Sequence, residues 1–315
     1  MSELKEYEED VIKQIQDSGG QLKPQEYLSP TSINDYFKCP RCYFYKYIAK
    51  LKTKPTIHLV KGGIIHKTLE DFYKKYEPNL EEHLMSLFEK AWNEREQALK
   101  DLELSEEELK KHKEDSIEIV KEYYITISRR INAMLKAEKV ENERHAFYML
   151  KPKLREKYYK NEKLKTKGFV DRIHKDFNDV VTVGDYKTSS KYGIGLPDAN
   201  RRQLAIYSLL YKEEEGQAPD YAAIIYLRYG EEVILEVTPS LLKFARNTID
   251  YVYSKTRSID INDYPVGQGN LIKWCEFADL HDGTAEWEEL YRREKLKQSL
   301  SKKEEPESRQ LEKGL

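Results

Sequence analysis

The segment 165–189, KTKGFVDRIHKDFNDVVTVGDYKTS, constrains the fold more than any other. Its two halves are rich in β-branched and aromatic residues, and the polar stretch 176–178 between them carries turn residues, so it reads as two antiparallel strands. Side chains alternate along a strand, so Asp185 and Lys187 project the same way off the end of VVTV (180–183). Phe169, Asp171 and Ile173 share a face of the preceding strand if it is regular, which makes Asp171 the polar member of an apolar row. Folded back, the hairpin would bring Asp171 and Asp185 together with Lys187 beyond them. Two readings fit such a cluster: a solvated ion pair near a turn, or hard oxygen ligands for Mg²⁺ or Mn²⁺ beside a cation.

The rest of the chain surrounds this hairpin with helices. With 315 residues, a sizeable core is available, in one decorated domain or two smaller ones. Leu84, Leu87, Phe88, Ala91 and Trp92 recur at helical spacing, SEEEL (105–109) has the acidic start of a helix, and residues 80–135 read as helical almost throughout. SPTSINDYFKCP (29–40) opens with Ser29 as a cap and Pro30 in the first turn, and RCYFYKYIAK follows as a short aromatic helix. A further helix is expected from Gly62–Gly63, with Ile65, Leu69, Phe72, Tyr73 and Tyr76 as its apolar stripe. After about residue 143, FYML, AAIIYLRYG and EEVILEVT join the hairpin as strand candidates, interrupted by helices over 200–215 and 240–257. This is an α/β pattern: a mixed sheet flanked by helices, with a helical insert over about 80–140. The expected organisation is a polar segment 1–28, a domain 29–290 and a charged tail 291–315.

Charge and cysteine usage narrow the function classes. The formal charge is -2, so the chain is no bulk polycation, although a local basic channel could still steer a polyanion. Tyrosine, at 24 residues against 9 phenylalanines, suits half-wet surfaces and base stacking as well as cores. The N-terminus shows no basic-then-apolar pattern, and no apolar run approaches the roughly 20 residues of a membrane span. Three cysteines make no disulfide framework. An intracellular, cytoplasmic protein with no membrane partner is expected.

GFVDRI followed by GDYKTS resembles the core of the PD-(D/E)xK nuclease superfamily, in particular its RecB-like exonuclease branch, which includes CRISPR-associated RecB-like exonucleases and the AddB/RecB nuclease domains. The resemblance implies a restriction-endonuclease-like fold. It places Asp171 at the first acidic position, Asp185 at the second and Lys187 at the lysine, with Gly168 fitting the glycine three residues before the first acid; Val170 stands where the superfamily's proline would be. SPTSINDYFKCPRCYFY, KGGIIHKTLEDF and RRQLAIY match further motifs in family order. The resemblance thereby adds His66 as a metal ligand, and Gln203 and Tyr207, one helical turn apart, as residues over the site. On residue chemistry alone His66 is equally a half-buried surface histidine, and Gln203 and Tyr207 a polar helix edge; Glu70, a turn beyond His66, could orient it or carry a charge on a wet face.

Many members of the branch carry an iron–sulfur cluster. Cys39 fits its first cysteine and Cys275 a middle one, but the flanking positions fall on Ile272 and His281, and Ile272 cannot ligate. A complete four-cysteine cluster is therefore not expected. Cys39, Cys42, Cys275 and His281 would be an acceptable zinc or unusual cluster set, and packed cysteines without metal are the plainer alternative.

The resemblance implies Mg²⁺- or Mn²⁺-dependent hydrolysis of DNA phosphodiesters from ends, with single strands handled, in recombination, repair or processing. Asp171, Asp185, His66 and the Tyr186 carbonyl would hold the ion, and Lys187 would act on water and phosphate. Arg172, Lys191, Arg201 and Arg202 are candidate phosphate contacts or solvated charges. Rival readings are a structure-specific endonuclease on flapped or branched DNA, and a catalytically idle DNA-binding subunit of a recombination complex.

Overall fold

The computed structural model describes residues 22–51, 53, 55–189, 196–267 and 276–277. They belong to two compact units, one drawn from residues 25–34 and 54–257, the other from 1–24, 35–53 and 258–315. Among the described residues no helix is long and apolar enough to cross a membrane.

The larger unit is built on a five-stranded mixed sheet in the order β1 (Leu154–Asn161), β2 (Thr166–Lys175), β3 (Val181–Lys187), β4 (Tyr221–Tyr226), β5 (Glu231–Glu236). Neighbours run antiparallel except β3 and β4, which are parallel. A parallel pair requires a crossover, and a helix at Asp198–Glu215 supplies it. Its run Leu204–Tyr211 is buried throughout. The β2–β3 turn forms as its composition requires: Asp176 Oδ1 accepts from Asn178 N (2.8 Å) and Val180 N (3.0 Å).

In chain order the helices are α1 (Pro30–Lys38), α2 (Pro40–Tyr43), α3 (Ile57–Phe72), α4 (Leu80–Glu94), α5 (Glu96–Lys100), α6 (Glu106–Lys136), α7 (Glu143–Leu150), the crossover α8 (Asp198–Glu215) and α9 (Pro239–Lys255). Ser29 Oγ accepts from Ser32 N at the start of α1. The 31-residue α6 begins with a full capping box, Ser105 and Glu108 each satisfying the other's backbone N–H. Ile65, Leu69 and Phe72 of α3, Leu84 and Phe88 of α4, and Ile119 and Tyr123 of α6 share one core with Tyr186, Ala223 and Ile225 of the sheet. The helices between residues 80 and 136 are thus packed onto the sheet rather than set apart from it.

Two sequence expectations are corrected, and one strand was not anticipated. FYML is the end of α7, not a strand: Asn142 caps the helix by accepting from His145 N, and Phe147 turns into the core. A strand that carried no signal, LREKYYKN, is β1; its burial does not alternate, so no period-2 pattern marks it. Helix α3 starts at Ile57 behind a Thr56 cap, which places Gly62 and Gly63 in its interior and His66 well past its first turn.

In the smaller unit, Phe44–Ile48 continues from α2 as a π-helical turn. Tyr43, Phe44, Tyr45 and Tyr264 are fully or nearly fully buried there, and Arg41 Nε donates to the Tyr264 carbonyl. Much of the tyrosine excess is therefore core.

Candidate metal and nucleic-acid site

Pairing of β2 with β3 sets Arg172 opposite Gly184, so the next position along places Asp171 beside Asp185. The approach is close. A Cβ on Gly184 would lie 3.0 Å from Ile225 Cδ1, and one on Gly168 would lie 3.1 Å from the Tyr207 ring and 3.4 Å from Pro30 Cδ. Gly168 lets α8 and the start of α1 settle against the strand end, and Gly184 makes room for Ile225 of β4.

Asp171 is buried, and its Oδ2 accepts from Tyr186 N at 2.8 Å. Helix α3 brings His66 over it, with Nδ1 3.4 Å from Asp171 Oδ2 and 3.7 Å from Glu156 Oε1. The other ring nitrogen, Nε2, donates to the Tyr186 carbonyl at 3.1 Å. His66, Glu156 and Asp171 each offer a ligand atom within 4.8 Å of the others. Glu156 was not visible as a site residue in the sequence. It lies on β1 between Arg155 and Lys157, which pair with Arg172 and Val170, so drawing the β1–β2 register sets it opposite Asp171. Its φ of 47° is a left-handed conformation uncommon for glutamate.

Asp185 stands beside that trio rather than within it. Its Oδ1 accepts from Gln203 Nε2 at 2.8 Å, and Gln203 Nε2 also reaches the Tyr207 hydroxyl at 3.0 Å. Lys187 Nζ donates to Gln203 Oε1 at 2.8 Å and forms an ion pair with Asp185 Oδ2 at 2.7 Å. Apart from that ammonium, the buried Oδ2 has no partner among the described residues. Gln203 and Tyr207 are one turn apart on α8, the spacing that lets both reach the strand ends.

The electrostatics are those of crowded acids. Burial, reinforced by the Asp171 charge, raises the Asp185 pKa against the opposing pull of Lys187. Burial alone would lower the His66 pKa, but the hydrogen-bonded carboxylates of Asp171 and Glu156 and the Asp185 charge outweigh it and push it up to about 10. Burial and the Asp185 and Asp171 charges hold the Tyr207 phenol well above its ordinary value, so it stays neutral. Three carboxylates and an imidazole gathered in this way suit a divalent cation of the Mg²⁺ or Mn²⁺ type.

All of these groups open onto one groove of about 900 Å³, also lined by Gly62, Gly63, Arg95 and Phe169. Of the other candidates, Glu70 also lines the groove, and the arginines lie away from it. Arg172 faces an internal cavity with Arg130 and Tyr123, its guanidinium 3.6 Å from Glu232, so it is not at the groove. Arg202 donates to Asn34 Oδ1, Arg201 lies over the Phe244 ring, and Glu70 pairs with Lys67 rather than with His66. Cys39 Sγ accepts from Cys42 N and Gly267 N, both at 3.4 Å. Lys191, Cys275 and His281 lie outside the described residues.

Among solved structures, the chain is similar to the crystal structure of a Eubacterium rectale protein named as a candidate exonuclease. That match has 13% identity and a TM-score of 0.47, and it covers 80% of this chain and 87% of the other. No curated protein matches the sequence. Residues 27–280 match the PD-(D/E)XK nuclease superfamily, a span that includes the whole sheet, the crossover helix and every residue of the site, and the chain belongs to that superfamily.

Proposed function

We propose that the protein is a Mg²⁺- or Mn²⁺-dependent deoxyribonuclease of the RecB-like branch that hydrolyses phosphodiester bonds from DNA ends. The observation that carries this reading is the convergence of His66, Glu156, Asp171, Asp185 and Lys187 on one open groove. A buried acid cluster alone is costly, and an open groove beside it gives a phosphodiester access.

His66, Glu156 and Asp171 would hold the ion, with Asp185 alongside. A bound divalent ion supplies Lewis acidity, making a water nucleophilic near neutral pH and offsetting charge on the phosphate. The chain's own residues do the rest. Tyr186 N fixes Asp171 by hydrogen bonding, and the Tyr186 carbonyl fixes the His66 ring so that Nδ1 faces the acids. The Lys187 ammonium, held by Gln203 and Asp185, orients the attacking water and meets the negative charge that builds on the phosphate. Water oxygen bonds to phosphorus as the bond to the 3′ oxygen breaks. The 3′ oxygen leaves with a proton, and the product carries a 5′ phosphate.

Digestion of end-labelled linear single strands, linear duplex and closed circular DNA with Mg²⁺ and with Mn²⁺ tests the reading. Shortening of linear DNA with the circle intact is expected. Cleavage of the circle would favour the endonuclease alternative, and no cleavage with either metal would remove the nuclease reading.

A further inference from the structure

Two groove residues have no part in holding the ion or Lys187. Phe169 is 54% exposed, and its ring lies 4.8 Å from that of Tyr158, itself 44% exposed, across the β1–β2 pair. Arg95, at the C-terminal end of α4, is exposed. Of the lysines and arginines lining the groove, Lys67 and Lys187 sit on carboxylates, whereas Arg95 makes no ion pair among the described residues. Phe169 lies two residues from Asp171, so its ring is about one nucleotide's reach from the hydrolytic centre.

We propose that Phe169 and Arg95 position a single strand in the groove, the ring stacking a base and the guanidinium contacting a backbone phosphate. This rests on the nuclease reading above and deepens it. A base within a duplex has both faces covered by its neighbours and has none to offer a ring. An unpaired strand has bare π-faces, and stacking on aromatic side chains is sequence-tolerant. The guanidinium would recognise phosphate without reading sequence. Gly63 also lines the groove, and a Cβ there would meet nothing within 4 Å, so α3 leaves open space at that point.

The test measures binding of a fluorescein-labelled oligothymidylate, with Ca²⁺ replacing Mn²⁺ to hold off hydrolysis, beside a duplex of the same length. Phe169→Ala should weaken single-strand binding about tenfold, leave duplex binding within about twofold, and be rescued by Phe169→Trp. Arg95→Ala should reduce the slope of log K against log salt by about 0.7, the share of one phosphate on a single strand. A purely structural role for the aromatic pair would lower the melting temperature of Phe169→Ala without changing the single-strand preference, and would overturn the proposal. If the wild type neither binds nor shortens the strand or the duplex, the nuclease reading falls and this inference with it; if it acts on the duplex alone, only this inference fails. If it does both and the variants bind within twofold of it with an unchanged salt slope, this inference alone fails.

Discussion

His66 donates from Nε2 to the Tyr186 carbonyl, and this single contact turns its Nδ1 to within 3.4 Å of Asp171. The histidine on α3 is thereby oriented by the backbone between the two residues that define the acid–lysine motif, Asp185 and Lys187. A metal ligand whose second nitrogen donates to a carbonyl has its ring orientation fixed before the ion arrives, and it keeps that Nε2–H when Nδ1 gives up its proton.

A proton must leave when the ion binds. With its pKa pushed up to about 10, His66 is charged in the metal-free protein at pH 8. Coordination through Nδ1 requires the neutral ring, so Mn²⁺ binding at pH 8 should release about one proton from it, and affinity should rise with pH toward about 10. The stability sign is the reverse. A raised histidine pKa stabilises the metal-free fold fully below about 6.5, the ordinary value, and that contribution is lost as pH rises through about 10. Calorimetry in buffers of different ionisation enthalpy measures the proton. His66→Ala should abolish its release, and an unchanged count would exclude His66 as a ligand.

Gln203 joins Asp185, Lys187 and Tyr207 through three hydrogen bonds of 2.8–3.0 Å. Gln203→Ala frees all three. Activity or metal affinity should fall by about 10–100-fold, the range for residues that orient ligands. Gln203→Glu should not restore it, because a carboxylate cannot donate to Asp185 and adds a like charge beside it. Steady-state cleavage of the labelled strand with a Mn²⁺ titration reads both quantities.

Two glycines should respond oppositely to alanine. At Gly168 the added Cβ would lie 3.1 Å from Tyr207, a buried ring tethered by Gln203, so the strand end must shift. Overpacking of this kind costs about 1–3 kcal/mol and should also lower activity by displacing Tyr207. At Gly63 the methyl meets nothing, and Gly63→Ala should stabilise α3 by roughly 1 kcal/mol, because glycine is a poor helix former. Denaturant melts of the two variants decide both signs.

The hairpin was legible because its strands are rich in β-branched and aromatic residues and its turn carries Asp176 and Asn178, so Asp171, Asp185 and Lys187 could be placed from the chain alone. His66 and Gln203 had no such local signal; their approach depends on α3 and α8 packing over the sheet, and only the resemblance anticipated it. Glu156 was hidden for a different reason: β1 is polar on both sides and bends through a positive φ, which no periodicity reports. FYML misled because four apolar residues fit a strand or a helix end equally, and the Asn142 cap decides between them. One reading of the sequence made Lys187 half of a solvated ion pair, yet its side chain is 25% exposed and held on two sides. Its removal should therefore cost about 1 kcal/mol of stability rather than almost nothing.

Single-turnover cleavage of an end-labelled single strand at saturating Mn²⁺, by the wild type and by Lys187→Ala, tests the central claim most directly. The ammonium acts on water and phosphate rather than on the ion. The variant should therefore bind Mn²⁺ as the wild type does and cleave on the order of 10²-fold more slowly. Lys187→Arg should not rescue it, since a planar fork cannot place its charge where the compact ammonium sits. Wild-type rates in the Ala variant would contradict the account and leave Lys187 as an ion-pair partner of Asp185.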